Sequence, residues 1–259
     1  MSLKKYWRCW LTMGAMTFSS LMSTRLASLL FISGKIARIF LFILLLLALK
    51  TKITLLSGYT LDQLLIFYLI YTLFDLLGQI FFRGIYWYRS DLLSGNFDFT
   101  LTKPLSPLFQ VLVNHTDWLD IPPLILTVIF LIYKLPSVSV STLLGFIFLS
   151  FLAMILITAV HIFVAAIGVL TLEVDHTIWI FRDLSQMARF PVDIYTQGVQ
   201  FFLTYIIPIA FIFTFPAKIL LGLLSGRLIL ITVLVTVAFY WLVIKFWQYA
   251  LKTYASASS

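Results

Sequence analysis

The chain has 259 residues, of which 62% are hydrophobic and 11% charged, and its formal net charge is +8 at pH 7. Soluble domains are about half apolar and about a quarter charged, so this composition excludes a water-soluble fold and predicts a polytopic membrane protein. The apolar runs are long and continuous, which favours transmembrane helices over the ~10-residue alternating strands of a membrane β-barrel. The predicted fold class is therefore all-α.

Residues 1–33 predict an amphipathic helix that lies in the membrane interface. On a helical projection Trp7 and Phe18 share one face, while Lys4 and Arg8 lie largely on another. An aromatic residue on the apolar face and basic residues on the polar face are typical of helices at the headgroup level. The alternative is that this stretch belongs to a longer first span.

Six apolar runs along the chain are long enough to cross a bilayer, which takes about 20 residues per helix. They are predicted at about 34–50, 61–82, 118–134, 142–170, 199–222 and 227–250. We therefore expect a single membrane domain over residues 1–259, with six transmembrane helices.

Two layouts remain open for residues 171–222. In the first, a cytoplasmic amphipathic segment precedes a fifth span at 199–222. In the second, the fifth span comes earlier and residues 191–222 form broken or re-entrant helices on the outer side. Three prolines make broken helices plausible, because irregular backbone at membrane depth is tolerated where protein surrounds it. They are Pro191, Pro208 and Pro216.

Lysine and arginine in the loops set the predicted orientation. With both termini inside, the inner segments hold ten Lys and Arg residues and the outer segments hold four. Cytoplasmic loops carry such an excess, so we predict a multi-pass protein of the plasma membrane with both termini cytoplasmic. Topology thereby explains the net charge. Because no basic stripe is interleaved with exposed aromatic residues, nucleic acid is excluded as a partner.

A half-polar stretch interrupts the apolar pattern between the second and third spans, within a predicted cytoplasmic loop at 83–117. Gly95 and Asn96 both accept left-handed backbone angles, so together they are expected to end a helix. Asp98 can then cap the turn that follows. The stretch therefore has the features of a shaped element rather than a plain linker.

Two prolines shape the rest of this stretch. Pro104 restricts Lys103 to an extended conformation and is expected in the first turn of a new short helix. Leu105 and Leu108 would give that helix a small apolar face suited to docking. The alternative is an ordinary loop in which Pro104 and Pro107 only terminate helices.

The sequence GNFDFTLTKPLSPLFQ at 95–110 resembles a motif of type-2 ABC exporter permeases, a six-span family also labelled multidrug or daunorubicin-type permeases. The matching positions are Gly95, Phe97, Asp98, Leu101, Lys103, Pro104 and Leu105. Three further stretches look similar and arrive in the order of that family. They are RFPVDIY at 189–195, IIPIAFIFTFPAKILLG at 206–222 and FWQYALKTYASAS at 246–258.

The resemblance implies a permease subunit that pairs with a second, identical or related permease. Each copy would bind a cytoplasmic ATPase subunit, which would hold ATP and Mg, through a coupling helix between spans two and three. Alternating access would move an amphipathic or hydrophobic substrate. The residues assigned to ATPase coupling are Gly95, Asp98, Leu101, Lys103, Pro104, Leu105, Pro107 and Leu108.

The chain is not expected to bind a nucleotide or any other cofactor itself. A phosphate-binding Walker A loop requires Gly-x-x-x-x-Gly-Lys-Ser/Thr. The only Gly-Lys pair is Gly34-Lys35, where Leu29 replaces the first glycine and Ile36 replaces the hydroxyl residue. The energy for transport must therefore come from a partner.

Polar residues inside the predicted spans are the other candidates. Asp75, Gln79 and Arg83 follow at intervals of four on the second span, and His161 lies midway along the fourth. Ionisable groups at membrane depth are costly and default to function. Asp75, Gln79 and His161 are therefore candidates for the substrate path or dimer seam, or else form packing hydrogen bonds. Arg83 is expected to extend toward the interface.

Two rival functions remain. One is an ion-coupled secondary transporter that uses Asp75 and His161, and the other is a non-catalytic structural membrane subunit. Polar clusters at 114–120 and 173–176 lie at span ends and lack the spacing that places two metal ligands on one helical face, so no metal site is predicted. No arrangement of nucleophile, base and acid predicts catalysis by this chain.

Overall fold

The computed structural model describes residues 3–135, 137–172 and 174–254 of the chain. These residues form an almost entirely helical molecule, which confirms the predicted all-α fold class. The helices are Leu3–Ser23 (α1), Arg25–Lys50 (α2), Leu61–Phe82 (α3), Tyr88–Leu93 (α4), Asn96–Thr102 (α5), Pro107–Val113 (α6), Ile121–Lys134 (α7), Val140–Thr171 (α8), Val174–Gln186 (α9), Gln197–Phe201 (α10), Phe215–Leu220 (α11) and Gly226–Thr253 (α12). A small antiparallel hairpin pairs β1 (Leu55–Leu56) with β2 (Tyr59–Thr60).

Four helices within the described residues are long and apolar enough to cross a bilayer: α2, α3 with its continuation to Leu93, α8 and α12. Two further pairs qualify only when each bent pair is counted as one span. The first pair joins α6 to α7 with a bend of 50°, and the second joins residues 197–206 to residues 210–220 with a bend of 84°. The chain therefore has four to six candidate spans.

Helix α3 lies at the centre of the bundle. It begins at a capping box in which the backbone N–H of Gln63 donates to the Thr60 hydroxyl and the Gln63 side chain accepts from the Thr60 N–H. Its side chains, including Leu64, Leu69 and Phe74, are almost fully buried. Following the predicted orientation, we call the end of the bundle that contains Phe82 the inner end and the end that contains Leu61 the outer end.

The first span is longer than predicted. Helix α1 ends at Ser23 and α2 begins at Arg25, so the predicted boundary between residues 33 and 34 is wrong. Helix α2 runs antiparallel to α3, with the Arg38 guanidinium 3.6 Å from the Asp75 carboxylate and the Lys50 amine 2.5 Å from Asp62. It therefore travels from the inner end to the outer end.

Residues 174–193 also run antiparallel to α3 over its full length. The ring of Trp179 lies 5.9 Å from that of Tyr86, and the Arg189 guanidinium lies 5.8 Å from the ring of Tyr71. Finally the Tyr59 hydroxyl donates to the carboxylate of Asp193 at 2.6 Å. The segment thus starts at the inner end and reaches the outer end.

Residues 197–220 form a hairpin that enters the bundle and leaves it at the outer end. At its start the Gln200 amide donates to the Asp193 carbonyl at 3.0 Å. Near its finish the Lys218 amine lies 2.6 Å from the carboxylate of Asp193, the same carboxylate that accepts from Tyr59 before the start of α3. A continuous fifth span over 199–222 is therefore wrong, and the structure favours the second of the two predicted layouts.

Helices α8 and α12 pack along one another beside α3. Helix α8 runs from Ser139 at the outer end to Leu172 at the inner end, where the Leu172 carbonyl accepts from Arg89 at 3.3 Å. Helix α12 starts after Ser225 and returns the chain to the inner end. The segment between α3 and α7 is therefore at the same end as the starts of α2 and α9 and the ends of α8 and α12.

Candidate functional site: the segment between α3 and α7

The segment between α3 and α7 folds as three short helices joined by tight turns. Gly95 separates α4 from α5 with φ +74°, which confirms the predicted left-handed turn. Lys103 is extended at φ −74° and ψ 146°, also as predicted. The next helix, however, begins at Pro107 and not at Pro104. Pro104 and Leu105 instead form a turn in which the Leu105 N–H donates to the Lys103 carbonyl at 2.8 Å.

The turn between α5 and α6 is held by a buried glutamine. The side-chain amide of Gln110 donates to the Thr100 carbonyl at 3.1 Å and to the Leu105 carbonyl at 3.3 Å. One side chain thus satisfies backbone acceptors on both sides of Lys103 and Pro104. The sequence analysis missed Gln110, because nothing in its local pattern distinguishes it from a polar residue on a helix surface.

Asp98 does not cap a helix. The N-cap of α5 is Gly95, and Asp98 lies in the first turn of α5, where its carboxylate accepts from the Tyr254 hydroxyl at 3.0 Å. Burial, together with the hydrogen bond to Asp98, raises the pKa of Tyr254, so the phenol is protonated and donates at neutral pH. The buried Phe97 ring packs edge-on against both Tyr88 and Tyr254. The end of α12 is therefore fixed to α5.

Helix α1 contacts the same segment from the other side. The Ser106 N–H donates to the Tyr6 hydroxyl at 3.3 Å, and the Tyr6 ring packs edge-on against Phe109 at 4.8 Å. Further along, the indole N–H of Trp118 donates to the Gly14 carbonyl at 2.7 Å. A Cβ atom at Gly14 would lie 2.8 Å from the Trp118 ring, so only glycine permits this approach. Contacts from α1 and α12 thus hold the segment in place.

The predicted coupling residues fall into two groups by exposure. Leu101, Lys103 and Pro104 are exposed, whereas Leu105, Pro107 and Leu108 are half-buried. The apolar face predicted for Leu105 and Leu108 therefore packs partly against the protein. Beside these residues on α5, the prediction missed the apolar side chain of Phe99, which is 68% exposed. We call Phe99, Leu101, Lys103 and Pro104 the exposed patch.

Ion pairs join the inner ends of α2, α3 and α7. The Lys35 amine forms ion pairs with Asp120 and, at 3.5 Å, with Asp117. The Arg83 guanidinium lies 3.8 Å from Asp117 and donates to the Gln79 side chain at 2.9 Å. Besides the predicted extension toward the interface, Arg83 therefore makes contacts within the protein. Its partner Asp117 follows α6, so the pair forms only when the segment folds back onto α3.

The structure brings Asp75, Gln79 and His161 together, and their role in a substrate path or dimer seam stays a prediction. All three line a cavity of about 20 Å³ between α3, α8 and α9, roughly the room that one water molecule needs. Each also has a partner of its own. Asp75 is paired with Arg38, Gln79 donates to the Tyr86 hydroxyl, and His161 bonds through Nδ1 to the Ile157 carbonyl.

The polar clusters at the span ends were not predicted to bind a metal. Over the described residues, no group of three or more His, Cys, Asp or Glu side chains is arranged to hold a metal ion. Of the cluster considered at 173–176, Glu173 lies outside the described residues, and Asp175 lies 3.7 Å from the Arg89 guanidinium.

Comparison with known proteins gave one match. The family model described as "ABC-2 family transporter protein" matches residues 35–258. No curated protein and no solved structure matched the chain. The matched range includes α3 to α12, and with them the whole segment between α3 and α7.

Proposed function

The chain belongs to the ABC-2 family of transporter proteins, and we propose that it is the permease subunit of an ATP-driven exporter. A separate cytoplasmic ATPase would bind at the exposed patch and supply the energy. Closure of two ATPase subunits, holding ATP and Mg, would switch the permease between inward-open and outward-open states. The cargo would be an amphipathic or hydrophobic molecule.

The observation that carries this proposal is the exposed patch itself. Phe99 and Leu101 are apolar side chains exposed on a short helix. Lys103 and Pro104 follow in a turn that the hydrogen bonds of the buried Gln110 side chain hold in place. An exposed apolar surface on a rigid support is a typical protein-binding site. Force applied to this patch would pass directly to α1, α3 and α12, because all three contact the segment.

The path of the chain supports six membrane crossings with both termini in the cytoplasm. These crossings would be α2, α3, α7, α8, residues 174–193 and α12, with residues 197–220 as a re-entrant hairpin from the outer side. Helix α7 is only about 21 Å long at 1.5 Å per residue. The 3₁₀ turn Trp118–Asp120 before it adds about 6 Å at about 2 Å per residue, which brings the helical length to about 27 Å, close to the thickness of the hydrocarbon core.

A second permease subunit is the proposed neighbour of α2 and α12. Both helices have only 17% of their most apolar stretch buried, so most of their apolar surface faces lipid or another chain. The cavity lined by Asp75, Gln79 and His161 is the proposed polar part of the substrate path. It lies inside one subunit, and a closed cavity of this size would have to widen during the transport cycle.

Introducing a negative charge into the exposed patch tests the assignment. Leu101→Asp places a charge in the proposed apolar contact, and we expect it to abolish retention of the ATPase and ATP-dependent export. Phe99→Asp should have the same effect, while Phe99→Leu should keep both activities. The measurement is purification of the tagged permease from native membranes, followed by identification of retained P-loop ATPases and by vesicle transport.

Leu55→Asp is the matched control, since Leu55 is 57% exposed in β1 at the outer end. This variant should insert and keep the ATPase. If Leu101→Asp retains the ATPase at the level of Leu55→Asp, the docking site is elsewhere.

The rival ion-coupled mechanism is less well supported, because Asp75 is engaged by Arg38 and His161 by the Ile157 carbonyl. The two mechanisms predict different energy sources for export in vesicles. Export driven by a proton or sodium gradient in the absence of ATP would favour it. Export that requires ATP and the bound ATPase would exclude it.

A further inference from the structure

A second, much larger cavity lies at the inner end between α1, α2 and the residues that follow α6. Its volume is about 640 Å³, within the range of sites that bind drug-sized ligands. The apolar part of its wall comes chiefly from Met13, Met16, Leu21 and Phe31. Met16 is 68% exposed, so the cavity opens at the protein surface. Arg83 lines this cavity. The proposed path residues Asp75, Gln79 and His161 do not line it, and neither do the residues of the exposed patch.

Polar groups converge on the opposite wall. Arg83, Asn114, His115, Thr116 and Asp117 line it together. The Thr116 hydroxyl is completely buried, yet has no hydrogen-bond partner among the described residues. A buried hydroxyl left without a partner costs free energy, so a polar atom at this wall would be stabilising.

The charge around the cavity favours an anion. The Asp117 carboxylate is already engaged by Lys35 and Arg83. Burial lowers the pKa of His115, so its ring is neutral at pH 7 and Arg83 is the cation of the wall. Residues 1–33, which include α1 and the inner-end start of α2, contain Lys4, Lys5, Arg8 and Arg25 and no Asp or Glu. Basic segments at a membrane surface attract anionic lipid headgroups.

We propose that this cavity binds an anionic phospholipid, with its phosphate at Arg83 and Thr116 and one acyl chain along the apolar wall of α1 and α2. Assignment to the inner leaflet rests on the orientation proposed above, whereas the binding site itself does not. The amphipathic helix α1 forms one side of the cavity and also contacts Ser106, Phe109 and Trp118. A bound lipid would therefore fill the space between α1 and the segment that carries the exposed patch.

The test is photo-crosslinking in phosphatidylcholine vesicles that contain the full-length protein. The probe is phosphatidylglycerol or phosphatidylcholine with a diazirine on one acyl chain, and labelled peptides are mapped by mass spectrometry. We expect the phosphatidylglycerol probe to label the peptides of Met13, Met16 and Phe31 about fivefold more than the phosphatidylcholine probe, as one basic contact would give. Equal labelling by the two probes would overturn the proposal.

Two substitutions on α2 provide a matched pair. Ala27 is exposed and lines the cavity, whereas Ala37 is exposed on the same helix but does not line it. Ala27→Trp fills the cavity and should reduce its labelling to background, while Ala37→Trp should leave the labelling unchanged. Unchanged labelling in Ala27→Trp would mean that the label comes from lipid around the protein, and the proposal would be wrong.

Thr116→Val separates lipid binding from folding. The variant keeps the shape of the side chain and removes a hydroxyl that bonds to nothing in the described protein, so the unfolding temperature should not fall. Phosphatidylglycerol labelling should decrease about threefold, the effect of one lost hydrogen bond. A decrease in unfolding temperature without loss of labelling would show that the hydroxyl has a structural role only. The result does not depend on ATPase binding or transport.

Discussion

Helices α2 and α3 are both apolar enough to cross a membrane, but they use their apolar residues in opposite ways. In α3, 78% of the most apolar stretch is buried inside the protein, whereas in α2 the buried share of the corresponding stretch is 17%. Helix α3 is the core against which the other spans pack. Helix α2 contacts it along a narrow face with Ile39, Ile43 and Leu46, and it presents the rest outward. Hydropathy alone therefore predicts a span but not its neighbours.

The largest expected difference between the two helices concerns phenylalanine. Phe74 in α3 is 1% exposed and Phe40 in α2 is 53% exposed. Phe74→Ala should lower the free energy of unfolding by about 4 kcal/mol, because it leaves a cavity in the core. Phe40→Ala should lower it by less than about 0.5 kcal/mol, as surface substitutions do. Equilibrium unfolding in detergent micelles measures both, and equal losses would refute the burial assignment.

The second difference lies within α2, between a buried and an exposed lysine. Lys35→Met should cost about 3 kcal/mol, since it leaves the buried carboxylates of Asp120 and Asp117 without this cation. Lys50→Met should cost about 0.5 kcal/mol, because Lys50 and Asp62 are both more than half exposed.

A double substitution sharpens this comparison. Lys35→Met combined with Asp120→Leu should be more stable than Lys35→Met alone, because the uncompensated buried charge is gone. If the second substitution adds a further loss of its own, Lys35 and Asp120 do not act as a pair. The same unfolding measurement applies to all three variants.

The third difference concerns two glycines. A Cβ atom at Gly84, just after α3, would lie 2.5 Å from the Val111 carbonyl oxygen in the backbone of α6, whereas at Gly34 in α2 it would meet nothing within 4 Å. Gly84→Ala should therefore cost about 2 kcal/mol, and Gly34→Ala should gain about 0.5 kcal/mol from helix propensity. A neutral Gly84→Ala, read from the unfolding temperature, would mean that α3 and α6 do not meet this closely.

Long apolar runs made α2, α3, α8 and α12 predictable, because a span of this kind needs no tertiary information. Helix α9 was not predictable in the same way. Its composition is that of a surface helix, yet the Arg182 guanidinium lies over the ring of Tyr86, 5.7 Å from its centre. The sequence contains no local signal for this contact, so it left two layouts open.

The site shows the same division between local and distant information. The left-handed turn at Gly95 and the extended Lys103 follow from the residues themselves and were predicted. Pro104 and Pro107 are equally suited to begin a helix, and only the packing of Leu108 and Gln110 onto the bundle selects Pro107. Phe97 and Phe99 are two residues apart, and which ring faces outward depends on Tyr254, far along the chain.

The two contacts that hold the exposed patch span most of the polypeptide. Tyr6 meets Ser106 across 100 residues, and Tyr254 meets Asp98 across 156 residues. Contacts between residues so distant in sequence form late, since the chain between them must be ordered first. During synthesis, the contact between Tyr254 and Asp98 can form only after the final helix has been made, so we expect the proposed docking surface to be incomplete in an unfinished permease.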